Sequence, residues 1–214
     1  MSVSERLNRT IVPRWAVVSI VVVILLGAGV YAFYHHWTHR FDTLIIAHSA
    51  QQNLDPMLVK SLIYEESFFN QNAKSDADAR GLMQVTPIVI KEWASRRGYG
   101  DERIGVLKEF GSRLQSPGES LDDLLFDPEV NLTLGCWYLH FLLSRYNGQS
   151  LQLPLALAAY NAGPSKAENW LHRDGVDVTD ADQYLSRIDY PATREYVRSI
   201  MKRYDSYKRA NRGL

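Results

Sequence analysis

The sequence predicts a mainly α-helical domain preceded by one N-terminal transmembrane helix, and three observations carry that expectation. Trp15 to Tyr34 is a run of 20 residues without a charge, rich in Val, Ile and Leu. At about 1.5 Å per residue such a helix spans a hydrocarbon core of roughly 30 Å. Further on, a capping-type residue precedes a proline three times, at Asp55-Pro56, Thr86-Pro87 and Asp127-Pro128. Proline suits the first helical position because the N–H it lacks would have no helical partner there. Nowhere do apolar and polar residues alternate convincingly, as they would along a half-buried strand.

The apolar run reads as one membrane span over 15–34, after a cytoplasmic N-terminus over 1–14 and before a juxtamembrane linker over 35–42. Arg6, Arg9 and Arg14 precede it and only Arg40 closely follows, so the positive-inside bias places the rest of the chain outside the cytoplasmic membrane. Trp15, Tyr31, Tyr34 and Trp37 fall where aromatic belts form. A cleaved signal peptide is the competing reading, with small residues around Val30-Tyr31-Ala32. The run is longer than the usual signal core of about 7 to 15 residues, which favours an uncleaved anchor. His35, His36 and His39 have a spacing that could bind a metal, but juxtamembrane histidines are more often interfacial, and no metal is expected.

Helices are then expected from Pro56 to about Phe69, from Pro87 to a stop at Gly98, and from Pro128 to Asn147-Gly148. Two more are expected, around Leu153 to Asn161 and from Pro191 to about Arg209, the last with Val197, Ile200, Met201 and Tyr204 at helical spacing. Gly100 to Leu125, with Gly105, Gly111, Pro117 and Gly118, reads as a loop with at most one helical turn. Gly163-Pro164 reads as a helix stop.

Composition narrows the function. Lys plus Arg equals Asp plus Glu at 24 each, so there is no basic footprint for nucleic acid. Cys136 is the one cysteine, which excludes an internal disulfide, a thiol redox pair and a cysteine-built zinc site.

The residues that point to chemistry are Glu65 and Glu66. Val59, Leu62, Ile63 and Glu66 fall at i, i+3, i+4 and i+7 on one helical stripe. Glu65 follows Leu58 and Leu62 at i+7 and i+3, so periodicity leaves the two glutamates equal. A carboxyl on an apolar face tends to hold its proton near neutral pH, as a general acid must, because burying the ionised form is expensive.

Beyond these residues, the chain carries Glu66-Ser67, Ser75, Gly81-Leu82-Met83-Gln84 with Pro87, Ala159-Tyr160-Asn161-Ala162-Gly163-Pro164 and Tyr196-Val197. In this order and at these distances they resemble the family 1 lytic transglycosylases, the soluble-lytic-transglycosylase (SLT) domain, over about Thr43 to Tyr207. Asp127-Pro128, Asn131, Gly135 and Tyr138-Leu139 resemble the helix that packs behind the site in that family. The resemblance implies a lysozyme-like helical catalytic domain over 43–210 that binds the glycan strands of peptidoglycan, and it selects Glu66 over Glu65 as the single catalytic acid. It implies that Tyr160 hydrogen-bonds that acid. It also implies that Ser67, Ser75, Met83, Gln84, Asn161 and Tyr196 belong to the substrate cleft, although Met83 is by its type more often core. No cofactor is implied.

Ordinary glycosidases set two carboxylates across the scissile bond, and no second acidic motif stands out here; Asp76 and Asp78 lie in a polar loop. The resemblance implies a reaction in which the 6-hydroxyl of N-acetylmuramic acid closes on its own C1, leaving a 1,6-anhydromuramyl end. A goose-lysozyme-type muramidase and a non-catalytic peptidoglycan-binding scaffold are the alternatives. Beside the glycan and the inner membrane, a cell-wall or secretion-apparatus protein is a candidate partner. Two departures from the family pattern stand out: Asp78-Ala79 where Gly-Ala is common, and Ala192-Thr193 where Glu-Thr is often seen.

Overall fold

The computed structural model describes residues 13–113, 121–175 and 178–211. The chain divides into two units, residues 1–40 and 41–214. In the first, helix α1 (Arg14–His39) is long and apolar enough to cross a membrane, with a mean hydropathy of 2.6 over its best window and none of that window buried. The helix continues past Tyr34, so His35, His36 and His39 lie in its last turns. The rings of His35 and His39 stack with centroids 4.0 Å apart. Arg6 and Arg9, which carry the orientation argument, lie outside the described residues.

The second unit is helical, with no strand among the described residues beyond two isolated bridges, Lys74 to Arg80 and Arg80 to Val85. Its elements are α2 (Asp42–Gln51), α3 (Pro56–Ser67), α4 (Pro87–Arg96), α5 (Glu102–Phe110), α6 (Leu121–Leu124), α7 (Pro128–Arg145), α8 (Gln152–Ala162), α9 (Pro164–Leu171), α10 (Ala181–Arg187) and α11 (Pro191–Asn211). Asp55 and Asp127 cap α3 and α7 by accepting from the N–H groups of Met57, and of Glu129 and Val130. Thr86 holds the cap position of α4 without a side-chain bond, so Pro87 alone supplies that start.

Helices α7 and α8 form the centre. Pro154 to Ala159 is buried without a break, as a helical stretch apolar on every side within a folded domain must be. Around it pack α7, α9 and α11, while α3 runs beside α11, α2 lies against α7 and α3, and α4 against α7.

Two expectations need correction. Glu102–Phe110 is a helix, not loop: Asp101 caps it by accepting from Arg103 and Ile104, and Gly105 is there because a Cβ would lie 2.7 Å from the Tyr99 ring. Residues 114–120 of that segment lie outside the described residues. Pro164 does not merely stop α8 but opens α9, with Gly163 at φ 91 serving as the joint. Helix α10, capped by Asp180, follows from a start signal that lacks the proline.

Candidate active site

Glu66 stands in the last turn of α3, where the helix ends because Phe68 and Phe69 take left-handed backbone at φ 49 and 59. Of the five non-glycine residues with positive φ among those described, four lie between positions 68 and 84, the others being Asp78 at 61 and Gln84 at 48. Such conformations cost on the order of 1 kcal/mol or more each and persist only where the surroundings enforce them. Phe69 is driven into the core with no exposure. Asp78 settles the departure from the family glycine: an aspartate takes the left-handed conformation itself, and its carboxylate pairs with Arg80 at 2.7 Å.

The loop between α3 and α4 is folded onto α7 by one buried amide. Asn131 accepts from the Met83 N–H at 2.7 Å and donates to the carbonyls of Arg80 and Leu125 at 2.7 and 2.8 Å. Gly81, at φ 77, lies so close that a Cβ would come within 2.5 Å of the Leu125 carbonyl. Gly135 leaves room for Met83, whose sulfur would otherwise meet a Cβ at 2.5 Å. From the other side Ser67 donates to the Leu82 carbonyl at 2.8 Å and to Ile63 at 3.2 Å, tying the loop to the helix that carries Glu66.

The Glu66 side chain is half-buried. Its Oε1 accepts from the Tyr196 hydroxyl of α11 at 2.5 Å. Burial pushes the carboxyl from its ordinary 4.5 up to about 7; the Tyr196 bond, which favours the anion, pulls the other way, and neighbouring Glu65 adds to the rise. The Tyr196 phenol is itself held well above its usual range by burial and by the carboxylate it faces. Glu65 points to a different partner, accepting from the Ser199 hydroxyl at 2.8 Å.

The residues singled out in the sequence divide into groups. Tyr160, expected to bond the acid, instead donates to the Met83 carbonyl at 2.8 Å, and Tyr196 takes that role. Burial, then the charge of Glu66, holds the Tyr160 phenol well above its usual range, so its ring still forms part of the acid's surroundings. Met83 cannot present its side chain to a ligand: it is fully buried, with its sulfur 3.9 Å from that of Cys136. Both bonds of the Ser67 hydroxyl go to backbone. Ser75 is half-buried and its oxygen accepts from the Ala79 N–H at 3.2 Å. Gln84 spends its amide hydrogens on the carbonyls of Ala73 and Gly81 at 3.2 and 2.9 Å. Asn161 is exposed and accepts from Thr193 at 2.7 Å, so the threonine of the departed Ala192-Thr193 pair is the one that supports the site. Neither Thr193 nor the keystone role of Asn131 was read from the sequence. A signal existed for Asn131, an amide between Val130 and Leu132 in an apolar helix.

Comparison with known proteins identifies the family and the fold. The family model described as the transglycosylase SLT domain matches residues 43–182. The chain is 26% identical over 169 residues to the soluble lytic murein transglycosylase of Escherichia coli K12, covering 79% of this chain and 23% of that one. It is 31% identical over 186 residues to the membrane-bound lytic murein transglycosylase C of Sodalis glossinidius, covering 80% of this chain and 47% of the other. Among solved structures, an inactive glutamate-to-glutamine mutant of the lytic transglycosylase Slt from Pseudomonas aeruginosa superposes with a TM-score of 0.64 at 25% identity, over 82% of this chain and 25% of that one. The chain thus spans about a quarter to a half of the length of these relatives. With the family model matching well over half of its length and the helical fold shared, the chain belongs to the transglycosylase SLT domain family.

Proposed function

We propose that this chain is a membrane-anchored lytic transglycosylase that cleaves the β-1,4 bond between N-acetylmuramic acid and N-acetylglucosamine in peptidoglycan, with Glu66 as sole acid and then base. One observation carries the proposal: a half-buried carboxyl raised to about 7, gripped at 2.5 Å by a phenol that favours its ionised form. A carboxyl with that pKa holds and releases its proton with equal ease near neutral pH, as a residue that acts first as acid and then as base requires. Glu66 gives its proton to the glycosidic oxygen as the C1–O bond breaks. The resulting carboxylate, stabilised by Tyr196, takes the proton of the muramyl 6-hydroxyl as O6 bonds to C1. The proton returns to Glu66, no water is consumed, and the product ends in a 1,6-anhydro ring.

Asp78 is paired with Arg80 and, at 3.6 Å, with Lys74, which engages it away from the role of a second glycosidase carboxylate. With the amide hydrogens of Gln84 committed, its Oε1 is the atom offered to a sugar hydroxyl; Asn161, with Oδ1 committed to Thr193, offers its Nδ2 donors. Helix α1 anchors the chain in the inner membrane as a single pass, with the catalytic domain on the periplasmic side. The inactive glutamate-to-glutamine mutant of the Pseudomonas aeruginosa relative supports an essential glutamate.

The test is digestion of purified peptidoglycan followed by mass spectrometry of the muropeptides. Products one water lighter than hydrolysis products are expected, and Glu66→Gln abolishes them. Hydrated ends, or an active Glu66→Gln variant, reject the proposal.

A further inference from the structure

Three histidines stand in the last turns of α1, unused by the glycan chemistry, and all three side chains are exposed. Positions 35 and 39 are one helical turn apart and share a face, whereas position 36 is turned from 35 by about 100°. The rings of His35 and His39 lie nearly parallel, with 9° between their planes and centroids 4.0 Å apart. Two imidazolium cations at that separation would repel each other, so the stack suits neutral rings, the form that binds metals. Arg40, the adjoining cation, rests on the Trp37 ring with its guanidinium carbon 3.6 Å from the centroid, and position 37 lies on the opposite face of the helix.

The tautomer of His39 is set by its neighbours. Its Nδ1 lies 2.8 Å from the carbonyl oxygen of His35, and a carbonyl only accepts, so this nitrogen carries the proton and donates. The Thr38 hydroxyl, 3.1 Å from the same nitrogen, agrees: its own hydrogen goes to the Tyr34 carbonyl at 2.9 Å, which leaves its oxygen to accept. Nε2 of His39 is therefore the nitrogen with a bare lone pair. Metal-binding imidazoles are held in this way, the other ring N–H being given to a carbonyl that fixes tautomer and ring orientation. Interfacial anchoring accounts for exposed imidazoles at this depth but asks nothing of their tautomer or their stacking.

We propose that His35 and His39 of a single chain chelate a borderline divalent cation such as Zn²⁺ across one turn at the end of α1. Imidazole nitrogen suits Zn²⁺, Cu²⁺ and Ni²⁺, whereas Ca²⁺ and Mg²⁺ seek oxygen. Two nitrogens on one tetrahedral ion stand about 3.3 Å apart. The stacked rings reach that separation by closing at one edge by less than about 1 Å, through small rotations of exposed side chains. Among the described residues no group of three or more His, Cys, Asp or Glu side chains is placed to hold a metal. Water therefore fills the remaining positions, the ion stays exchangeable, and the chelate clips the last turns of α1 together.

The full-length chain, purified in detergent with a tag that contains no histidine, is titrated with Zn²⁺ by calorimetry. One ion per chain is expected, with an affinity lowered about tenfold or more by His35→Gln and by His39→Gln, and changed by less than about twofold by His36→Gln. Glutamine is a good helix former, so the variants keep α1 intact. His48, His140 and His172 are present in every variant, so binding to them cancels in the comparison. Cu²⁺ on the parent chain should show magnetic coupling to two imidazole nitrogens in electron paramagnetic resonance, and to one in either the His35→Gln or the His39→Gln variant. The proposal is overturned by an absence of saturable binding below about 1 mM, by unchanged affinity in either of those variants, by an equal loss in His36→Gln, or by one ion per two chains.

Discussion

Replacing Glu66 by glutamine should make the protein more stable as well as inactive, and the size of the gain follows from the structure. The carboxyl moves from 4.5 in the unfolded chain to about 7 in the fold. Its folded-state pKa is raised, so its favourable contribution is fully present below pH 4.5 and is lost as pH rises toward 7. At about 1.4 kcal/mol per unit of pKa difference the whole penalty is about 3 kcal/mol, and roughly 2.5 kcal/mol of it develops between pH 5 and pH 8. Glutamine has the same shape, can still accept from Tyr196, and carries no charge to desolvate. For a domain of this size 1 kcal/mol corresponds to about 2–4 °C, so the variant's midpoint should exceed that of the parent by roughly 5–10 °C more at pH 8 than at pH 5. The assay is thermal denaturation of both full-length proteins in one detergent at the two pH values, read as a difference of differences so that all other titrating groups cancel. An equal offset at both pH values, or a variant less stable at pH 8, refutes the claim that Glu66 is held against its ionisation.

Three further outcomes are expected. Tyr196→Phe removes a bond to the ionised carboxylate, so the alkaline limb of the pH–activity profile should move up by about one pH unit or more; a downward move contradicts the role given to the hydroxyl. Asn131→Ala strands the buried Met83 N–H and the Leu125 carbonyl, while the Arg80 carbonyl keeps its bond from the Val85 N–H, and should cost at least about 2 kcal/mol in urea denaturation; a loss below about 1 kcal/mol would remove Asn131 as the tie between loop and helix. Glu65→Gln keeps an acceptor for Ser199 and should leave turnover within about threefold, whereas a collapse like that of Glu66→Gln would exchange the two roles.

The elements legible in the sequence were those announced by local chemistry. Asp55-Pro56 and Asp127-Pro128 cap helices where expected because a carboxylate and a missing N–H act on the same few backbone groups wherever the chain goes. The segment after Gly100 was misread because its glycines weigh against a helix, while the reason Gly105 is tolerated, the approach of Tyr99, is a contact that only the folded loop creates. Gly163-Pro164 was half-read for a similar reason: the pair ends one helix and begins the next, and which it does depends on whether a neighbour receives the following turn.

The sequence by itself determined the helical class, the apolar N-terminal helix and the order of motifs that marks the family, since each is a property of residue type and spacing. It left Glu65 and Glu66 equal by periodicity and attached the acid's hydroxyl partner to Tyr160. The family motifs select Glu66, and the tertiary structure gives each glutamate its own partner. Adjacent residues on a helix differ by about 100°, so α11 meets Glu66 with Tyr196 and Glu65 with Ser199. Tyr160, arriving from α8, reaches the Met83 carbonyl instead. A side chain's pKa and partner depend on what distant helices bring to it, and that is settled only when they pack.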